Sequence, residues 1–383
     1  MHVLLVCNLM TLGGAERYLI DLANSLVSRG IEVTMAFGGS VMHKPGPVEQ
    51  VKHLEVNRFT KFGKLGPFRL LFDWPIGVRF GRYLRENKVD IINTVMLDTG
   101  IWAWFSGRMS NIPVFHTPMH AFCNYSRQEK WLIGTAVGAN IIKALKAKFI
   151  AVSDYLAWEL SNLGNISVDN IYTSCLGVDI EKFKPTEPDK QLIEEFNLSD
   201  ESVIGTIGRL YHVKGCHKVI ASMPSLLQIY PNTKLVLVGD GPERENLERQ
   251  ARELNVQNNV VFTGWRTDTN RFINIFDIYI VATDGPNLGL SALQAMAQYK
   301  PLVCYAKDQL EQRMASDTVN EGINGHIVPV SPPDEAGAVM GQMLKDAEEL
   351  KKMGLESRRL AESKFDWNRH VSNVIDIYNS CLR

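Results

Sequence analysis

No run of 18 apolar residues occurs in this chain, so no segment reads as a bilayer span. An excess of charge of one sign is missing too: 41 Lys and Arg face 42 Asp and Glu, a formal net charge of −1. That balance argues against a protein that wraps nucleic acid, and no low-complexity tract or acidic tail is present. Cysteine is sparse. Cys7, Cys123, Cys175, Cys216, Cys304 and Cys381 are scattered and form no C-x-x-C pair, which disfavours a disulfide framework and a zinc site. The expectation is reduced thiols in a cytoplasmic protein. The opening MHVLLVCNLM lacks the basic start and small-residue cleavage site of a secretory signal and reads as a buried strand.

What is present is an ordinary globular balance, 45% hydrophobic and 22% charged, in 383 residues. At roughly 150 residues per domain that makes two or three domains. Residues 1–180 hold 18 basic against 14 acidic side chains, and residues 58–148 hold 14 against 5, so the second half is acidic. The two halves therefore suit different partners. Short β-branched runs alternate with longer amphipathic stretches. HVLLVCN, IEVTMAF, DIINTVM, IPVFHT and KFIAVS read as buried strands, and Tyr18, Leu19, Leu22, Ala23, Leu26 and Val27 mark one face of a helix that Gly30 stops. The grammar restarts after residue 190 with SVIGTIGRL, KLVLVGD, NVVFTGW, IYIVAT, PLVCYA and GHIVPV. Between the sets lies polar DIEKFKPTEPDKQ, with Pro185 and Pro188, where the domain boundary is expected. The last 50 residues read as helices. Strand–helix–strand alternation predicts α/β architecture: two tandem doubly wound, Rossmann-like domains facing across a cleft, 1–185 and 186–366, with a C-terminal helix 367–383 crossing back to the first.

Four motifs carry chemistry. Leu12-Gly13-Gly14-Ala15-Glu16-Arg17 sits between the first strand and helix, where free amides suit an anion; it is not G-x-G-x-x-G, so a dinucleotide is disfavoured. It reads equally as a tight turn. In Gly208-Arg209-Leu210-Tyr211-His212-Val213-Lys214-Gly215, two cations and a helix start at a strand's C-terminal end make a diphosphate clamp, against the plainer reading of a solvated loop. Asp284-Gly-Pro-Asn-Leu-Gly-Leu-Ser-Ala-Leu-Gln294 is a third strand–loop–helix start. There the amides of Leu288, Gly289 and Leu290 suit a sugar or phosphate oxygen, or Asn287 or Ser291 simply caps the helix. His116 and His120 follow a strand of the first half; they have no carboxylate pair nearby, which discounts a metal and leaves a catalytic, positioning or structural role.

Taken in order, the chain resembles the GT-B glycosyltransferases of family 4, the group 1 enzymes that transfer a sugar from a nucleotide-sugar with retention. The resemblance covers nearly the whole length. GGAER at 13–17, AVS at 151–153, LGVD at 176–179, IGRL and KG within 207–215, VGDGPE at 238–243, FTG at 262–264, GLSALQAMA at 289–297, ING at 323–325 and FDW at 365–367 carry it. The resemblance implies that Arg209 and Lys214 neutralise the donor diphosphate as leaving group, so neither a metal nor a cofactor is expected. It implies that Gly13 and Gly14 touch the donor phosphate or the acceptor, that Gly208 belongs to the clamp, and that Thr263 and Gly264 lie beside the nucleobase. Gln294 would hold the ribose hydroxyls, and His120 or His116 would sit near the transferred sugar. Front-face attack, with the leaving phosphate taking the acceptor proton, would explain the missing carboxylate pair.

The departures are specific. The family's paired glutamates, eight residues apart, are Pro286 and Gln294 here. Gln294 still hydrogen-bonds a diol without charge, whereas Pro286 cannot replace a carboxylate; Asp284, two residues away, is the candidate substitute. These changes motivate the alternative of a catalytically impaired nucleotide-sugar-binding subunit that partners another transferase. A nicotinamide-dependent oxidoreductase and a nucleotide-sugar epimerase or phosphorylase are the remaining classes on such an architecture. Finally, Arg58, Lys61, Lys64, Arg69, Arg79, Arg82 and Arg85 interleave with aromatic residues. The 58–85 stretch reads either as a contact for an anionic membrane surface or as a solvated face over a core helix. The first reading fits a glycan or lipid-linked acceptor at the inner face of the plasma membrane, a peripheral cytoplasmic protein, and no nucleic-acid partner.

Overall fold

The computed structural model describes residues 1–7, 14–37, 52–55, 80–95, 97–119, 136–284 and 289–382. The chain divides into two compact units, Met1–Leu176 with Arg369–Arg383, and Gly177–Asn368. Each is built on a parallel sheet, whose central strands are buried on both faces and read as near-continuous apolar runs.

The first unit contains β1 (His2–Cys7), β2 (Glu32–Phe37), β3 (Lys52–Glu55), β4 (Ile91–Thr94), β5 (Val114–His116), β6 (Lys148–Ala151) and β7 (Ile171–Thr173), in the order β3-β2-β1-β4-β5-β6-β7. All six residues of β1 are buried, as a central strand requires. The helix Gly14–Ser28 turns Tyr18, Leu19, Leu22, Ala23 and Leu26 onto this sheet. Five of the strands coincide with runs read from the sequence; β3 and β7 are additional, being four and three residues long. Of the 58–85 stretch, residues 58–79 lie outside the described residues. Residues 80–86 are helical, with Phe80 and Leu84 buried and Arg82 and Arg85 exposed. Among the described residues no helix is long and apolar enough to cross a membrane.

The C-terminal helix Trp367–Leu382 is bound into the first unit by buried polar contacts. The Asn93 amide donates to the Tyr378 hydroxyl at 2.6 Å, and Thr117 donates to Asn93 Oδ1 at 2.9 Å. His370 Nδ1 lies 2.9 Å from the Cys175 carbonyl, which can only accept, so Nδ1 carries the proton and Nε2 accepts from the Tyr18 hydroxyl at 3.1 Å. Burial depresses His370 from 6.5 to about 4, so the folded state keeps it neutral. The unfolded chain then binds one more proton between these values. The contribution is complete above pH 6.5 and is lost as pH falls toward 4, by roughly 3 kcal/mol over that window. We expect thermal unfolding to report this acid-side loss and His370→Gln to flatten it; an unchanged slope in the variant would contradict the assignment.

The second unit contains β8 (Ser202–Ile207), β9 (Thr233–Val238), β10 (Val260–Gly264), β11 (Ile278–Val281), β12 (Leu302–Ala306) and β13 (Gly325–Pro329), in the order β10-β9-β8-β11-β12-β13. All six match the sequence reading. The division, expected at residue 185, falls instead after Leu176, and the second crossing falls after Asn368 rather than 366. The segment from Gly177 onward is bonded to the second unit, which is the physical reason. Val178 N donates to Phe365 O at 2.7 Å and Trp367 N to Val178 O at 3.0 Å. Arg358 donates to Ile180 O at 3.0 Å, and Asn274 Oδ1 accepts from Thr186 N at 3.2 Å. A polar, proline-containing segment looked like a free linker, yet its backbone groups are satisfied here.

Candidate functional site

The strand order of the second sheet reverses between β8 and β11. At such a switch point the loops leaving adjacent strands diverge and open a crevice at their C-terminal ends. A pocket lies there, lined among others by Gly208, Lys214, Tyr279, Thr283, Gly289 and Ser291.

Its walls follow from backbone packing. Gly208 N donates to Val238 O at 3.0 Å and Leu210 N to Asp240 O at 2.9 Å, which lays the loop after β8 on the loop after β9. Gly239, at φ +142, permits the contact: a Cβ there would lie 2.0 Å from Gly208 O. The loop closes with a 3-10 turn, His212–Lys214, and Gly215 at φ +69 opens the helix Cys216–Ile229. A Cβ on Gly215 would lie 1.9 Å from Ala282 O, so only glycine lets the Lys214 turn rest on the end of β11. The opposite wall is the N-terminus of the helix Gly289–Ala297, whose first-turn amides lack intrahelical partners.

The electrostatics favour an anion. Burial of the Lys214 ammonium lowers its pKa, and the neighbouring Arg209 guanidinium lowers it further. A half-buried cation whose charge is disfavoured gains from any anion placed beside it, as do the amides of a helix start. Tyr279 is buried, its phenol pushed up by that burial, and its hydroxyl accepts from Ile207 N at 3.3 Å. Burial also pushes the Cys216 thiol up to about 11, so it stays protonated and is no nucleophile at neutral pH.

Of the residues singled out in the sequence, Gly208, Lys214 and Gly289 come together in the pocket wall, with Arg209 exposed beside them. Leu290 lies in the first turn and Gln294 further along the same helix, half-buried. Thr263 and Gly264 end the edge strand β10, two strands from β8, and do not line the pocket. Gly14 begins the first helix of the other unit and is exposed. Gly13, His120, Leu288 and Pro286 lie outside the described residues.

One expectation is corrected. His116 is a core residue of the first unit: it is 1% exposed, its Nδ1 lies 2.9 Å from Thr94 Oγ1, and Trp104 and Phe149 meet it edge to face. With no open face it cannot touch a sugar in this structure. Asp284, the candidate substitute for the absent glutamate, has its carboxylate paired with the Lys218 ammonium and is not a pocket-lining residue. Sequence reasoning missed Tyr279 and Thr283, and read Ser291 only as a helix cap. The available signal was period two along IYIVAT, which puts Tyr279, Val281 and Thr283 on one face.

Two family models match the chain. Glycosyltransferase Family 4 covers residues 12–182, and Glycosyl transferases group 1 covers residues 189–360. Among curated proteins, the lipopolysaccharide core biosynthesis glycosyltransferase LpsE of Rhizobium meliloti (strain 1021) is 24% identical over 87% of this chain and 86% of its own length. Among solved structures, a glycosyltransferase from Rickettsia africae ESF-5 superposes with a TM-score of 0.82 at 20% identity, covering 100% of this chain and 98% of that one. Anabaena Alr3699/HepE, solved in complex with UDP, gives a TM-score of 0.82 at 20% identity, covering 99% of this chain and 100% of that one. Both structural likenesses establish the GT-B fold. Two doubly wound units, a switch-point pocket walled by Lys214 and a helix start, and family models that account in succession for both halves lead to one conclusion: the chain belongs to the family 4, group 1 glycosyltransferases of GT-B fold.

Proposed function

We propose that this chain is a metal-independent, retaining glycosyltransferase that moves a sugar from a nucleoside-diphosphate sugar to a glycan or lipid-linked acceptor in cell-surface polysaccharide or glycolipid synthesis. The observation that carries this reading is the half-buried Lys214 in the switch-point pocket, facing the start of the helix Gly289–Ala297 with Arg209 beside it. The Anabaena relative's complex with UDP supports a nucleoside diphosphate as the anion, and the Rhizobium relative supports an acceptor in lipopolysaccharide synthesis. In this reading Arg209 and Lys214 stabilise the departing diphosphate. The anomeric carbon–oxygen bond to the phosphate breaks, the acceptor oxygen bonds to that carbon from the same face, and the acceptor proton goes to a phosphate oxygen. The protein is cytoplasmic and peripheral to the inner membrane face.

The configuration of the product tests the stereochemistry. With an α-linked donor, NMR of the first-formed product is expected to show the α-anomer, at a rate unaffected by EDTA. A β-anomer, or loss of transfer on chelation, would overturn that part of the reading. Pro286 and Gln294 favour a second reading, a donor-binding subunit without catalysis of its own. Transfer by the purified chain that disappears in Lys214→Met would eliminate it.

A further inference from the structure

The segment Val281–Asp284 has two sides. Val281 and Thr283 line the pocket, whereas Ala282 and Asp284, alternating with them, face the helix Cys216–Ile229. On that side the Lys218 ammonium, its side chain 5% exposed, donates to Ala282 O at 3.1 Å and pairs with the Asp284 carboxylate. Asp284 N donates in turn to Val213 O at 2.7 Å, one residue before Lys214, and Gly215 rests directly on the Ala282 carbonyl. We propose that the Lys218–Asp284 pair positions the anion site: it bolts the end of β11 to the Lys214 turn and so sets the gap that a diphosphate occupies.

Three hydrogen bonds and one close backbone approach converge on Ala282 and Asp284, and Lys218 supplies two of the hydrogen bonds. A lysine this deeply buried is tolerated only when its charge is matched and its donors are used. Matching also keeps the neighbourhood from competing with the ligand. With Asp284 paired to Lys218, its carboxylate is engaged away from Lys214 in the pocket wall and Arg209 beside it. Removing Lys218 loosens the bolt and leaves a carboxylate near an anion site, two effects of the same sign. Removing the charge of Asp284 alone leaves an amide oxygen that still accepts from Lys218 and adds positive potential.

The inference rests on the reading of the pocket as a nucleoside-diphosphate site, and the test separates the two. UDP, GDP and ADP are titrated calorimetrically into the wild-type chain, Lys218→Met, Lys218→Arg, Asp284→Asn and the Lys218→Met/Asp284→Asn double variant, each well below its melting temperature. The expected result is binding of one nucleotide by the wild type. We expect about tenfold or greater weakening in Lys218→Met, partial rescue by Lys218→Arg, a change within about threefold in Asp284→Asn, and recovery in the double variant relative to Lys218→Met. Where transfer is measured, KM for the donor rises in Lys218→Met with a smaller change in kcat. Binding by Lys218→Met at wild-type affinity, even with a lowered melting temperature, overturns the positioning role and leaves the pocket reading intact. No binding by the wild type overturns the pocket reading and the bolt with it. Should Lys218→Met fail to fold, Lys218→Arg and Asp284→Asn decide: the account predicts a smaller loss in Asp284→Asn than in Lys218→Arg, and a loss in Asp284→Asn equal to or larger than that in Lys218→Arg would contradict it.

Discussion

Replacing Lys214 by methionine is expected to lower kcat/KM for transfer by roughly 10²–10³, the range seen when one preorganised stabilising group is removed from a developing anion. The same substitution should leave the melting temperature of the unliganded protein unchanged or slightly higher. Both effects follow from one observation. Burial lowers the pKa of Lys214, so the folded state resists the very charge that the unfolded chain carries freely. A group with a depressed cationic pKa opposes folding at pH values below that pKa, and removing the charge removes the opposition. The ligand reverses the balance, because an anion beside the ammonium offsets the cost of burying its charge. Activity and stability thus move in opposite directions, which a merely structural lysine would not do. A variant that loses stability together with activity would contradict the assignment.

The second large effect concerns Gly215. Its Cβ position lies 1.9 Å from Ala282 O and 2.7 Å from Ala282 C, both backbone atoms of β11's extension, and its φ is +69. Gly215→Ala therefore cannot be absorbed by a side-chain movement. The Lys214 turn must lift off the strand end, breaking the Val213–Asp284 contact with it. We expect a loss of about 3–5 kcal/mol, measured by urea unfolding of the second unit's transition. Gly264 provides the control. Its φ is similar, +73, but its nearest neighbour is the end of the Arg244 side chain at 3.7 Å, an ordinary van der Waals contact. Gly264→Ala meets only the conformational penalty of about 1 kcal/mol. Comparable losses at both positions would show that φ, rather than the close approach to Ala282, dominates.

The sequence made some parts of this molecule readable because their physics is local. A strand buried on both faces must be a continuous apolar run, so β1, β2, β4, β5 and β6 and the whole second sheet were legible. β7 is three residues long and only partly buried, and β3 is four residues of mixed polarity, so neither presents a run long enough to stand out. Arg209 and Lys214 were legible because a strand end followed by glycine and cations is itself the chemical signal. Tyr279 and Thr283 were not, because their role depends on β11 pairing with β8, Ile278 opposite Ile204, a contact between residues 74 apart. The Lys218–Asp284 pair is equally silent, its members lying 66 residues apart. His116 misled for the opposite reason. A histidine at a strand's C-terminal end resembles a site residue, but the neighbours that bury it, Trp104 and Phe149, come from other elements.

The central claim is that the switch-point pocket of the second unit binds a nucleoside diphosphate through Lys214. Calorimetric titration of UDP, GDP and ADP into the wild-type chain and into Lys214→Met tests it most directly. The account predicts saturable binding of one of the three by the wild type, weakened roughly 10–100-fold in the variant, the loss expected for one charge-assisted contact. Equal affinity in the two proteins, or no heat from any nucleotide with the wild type, would contradict it.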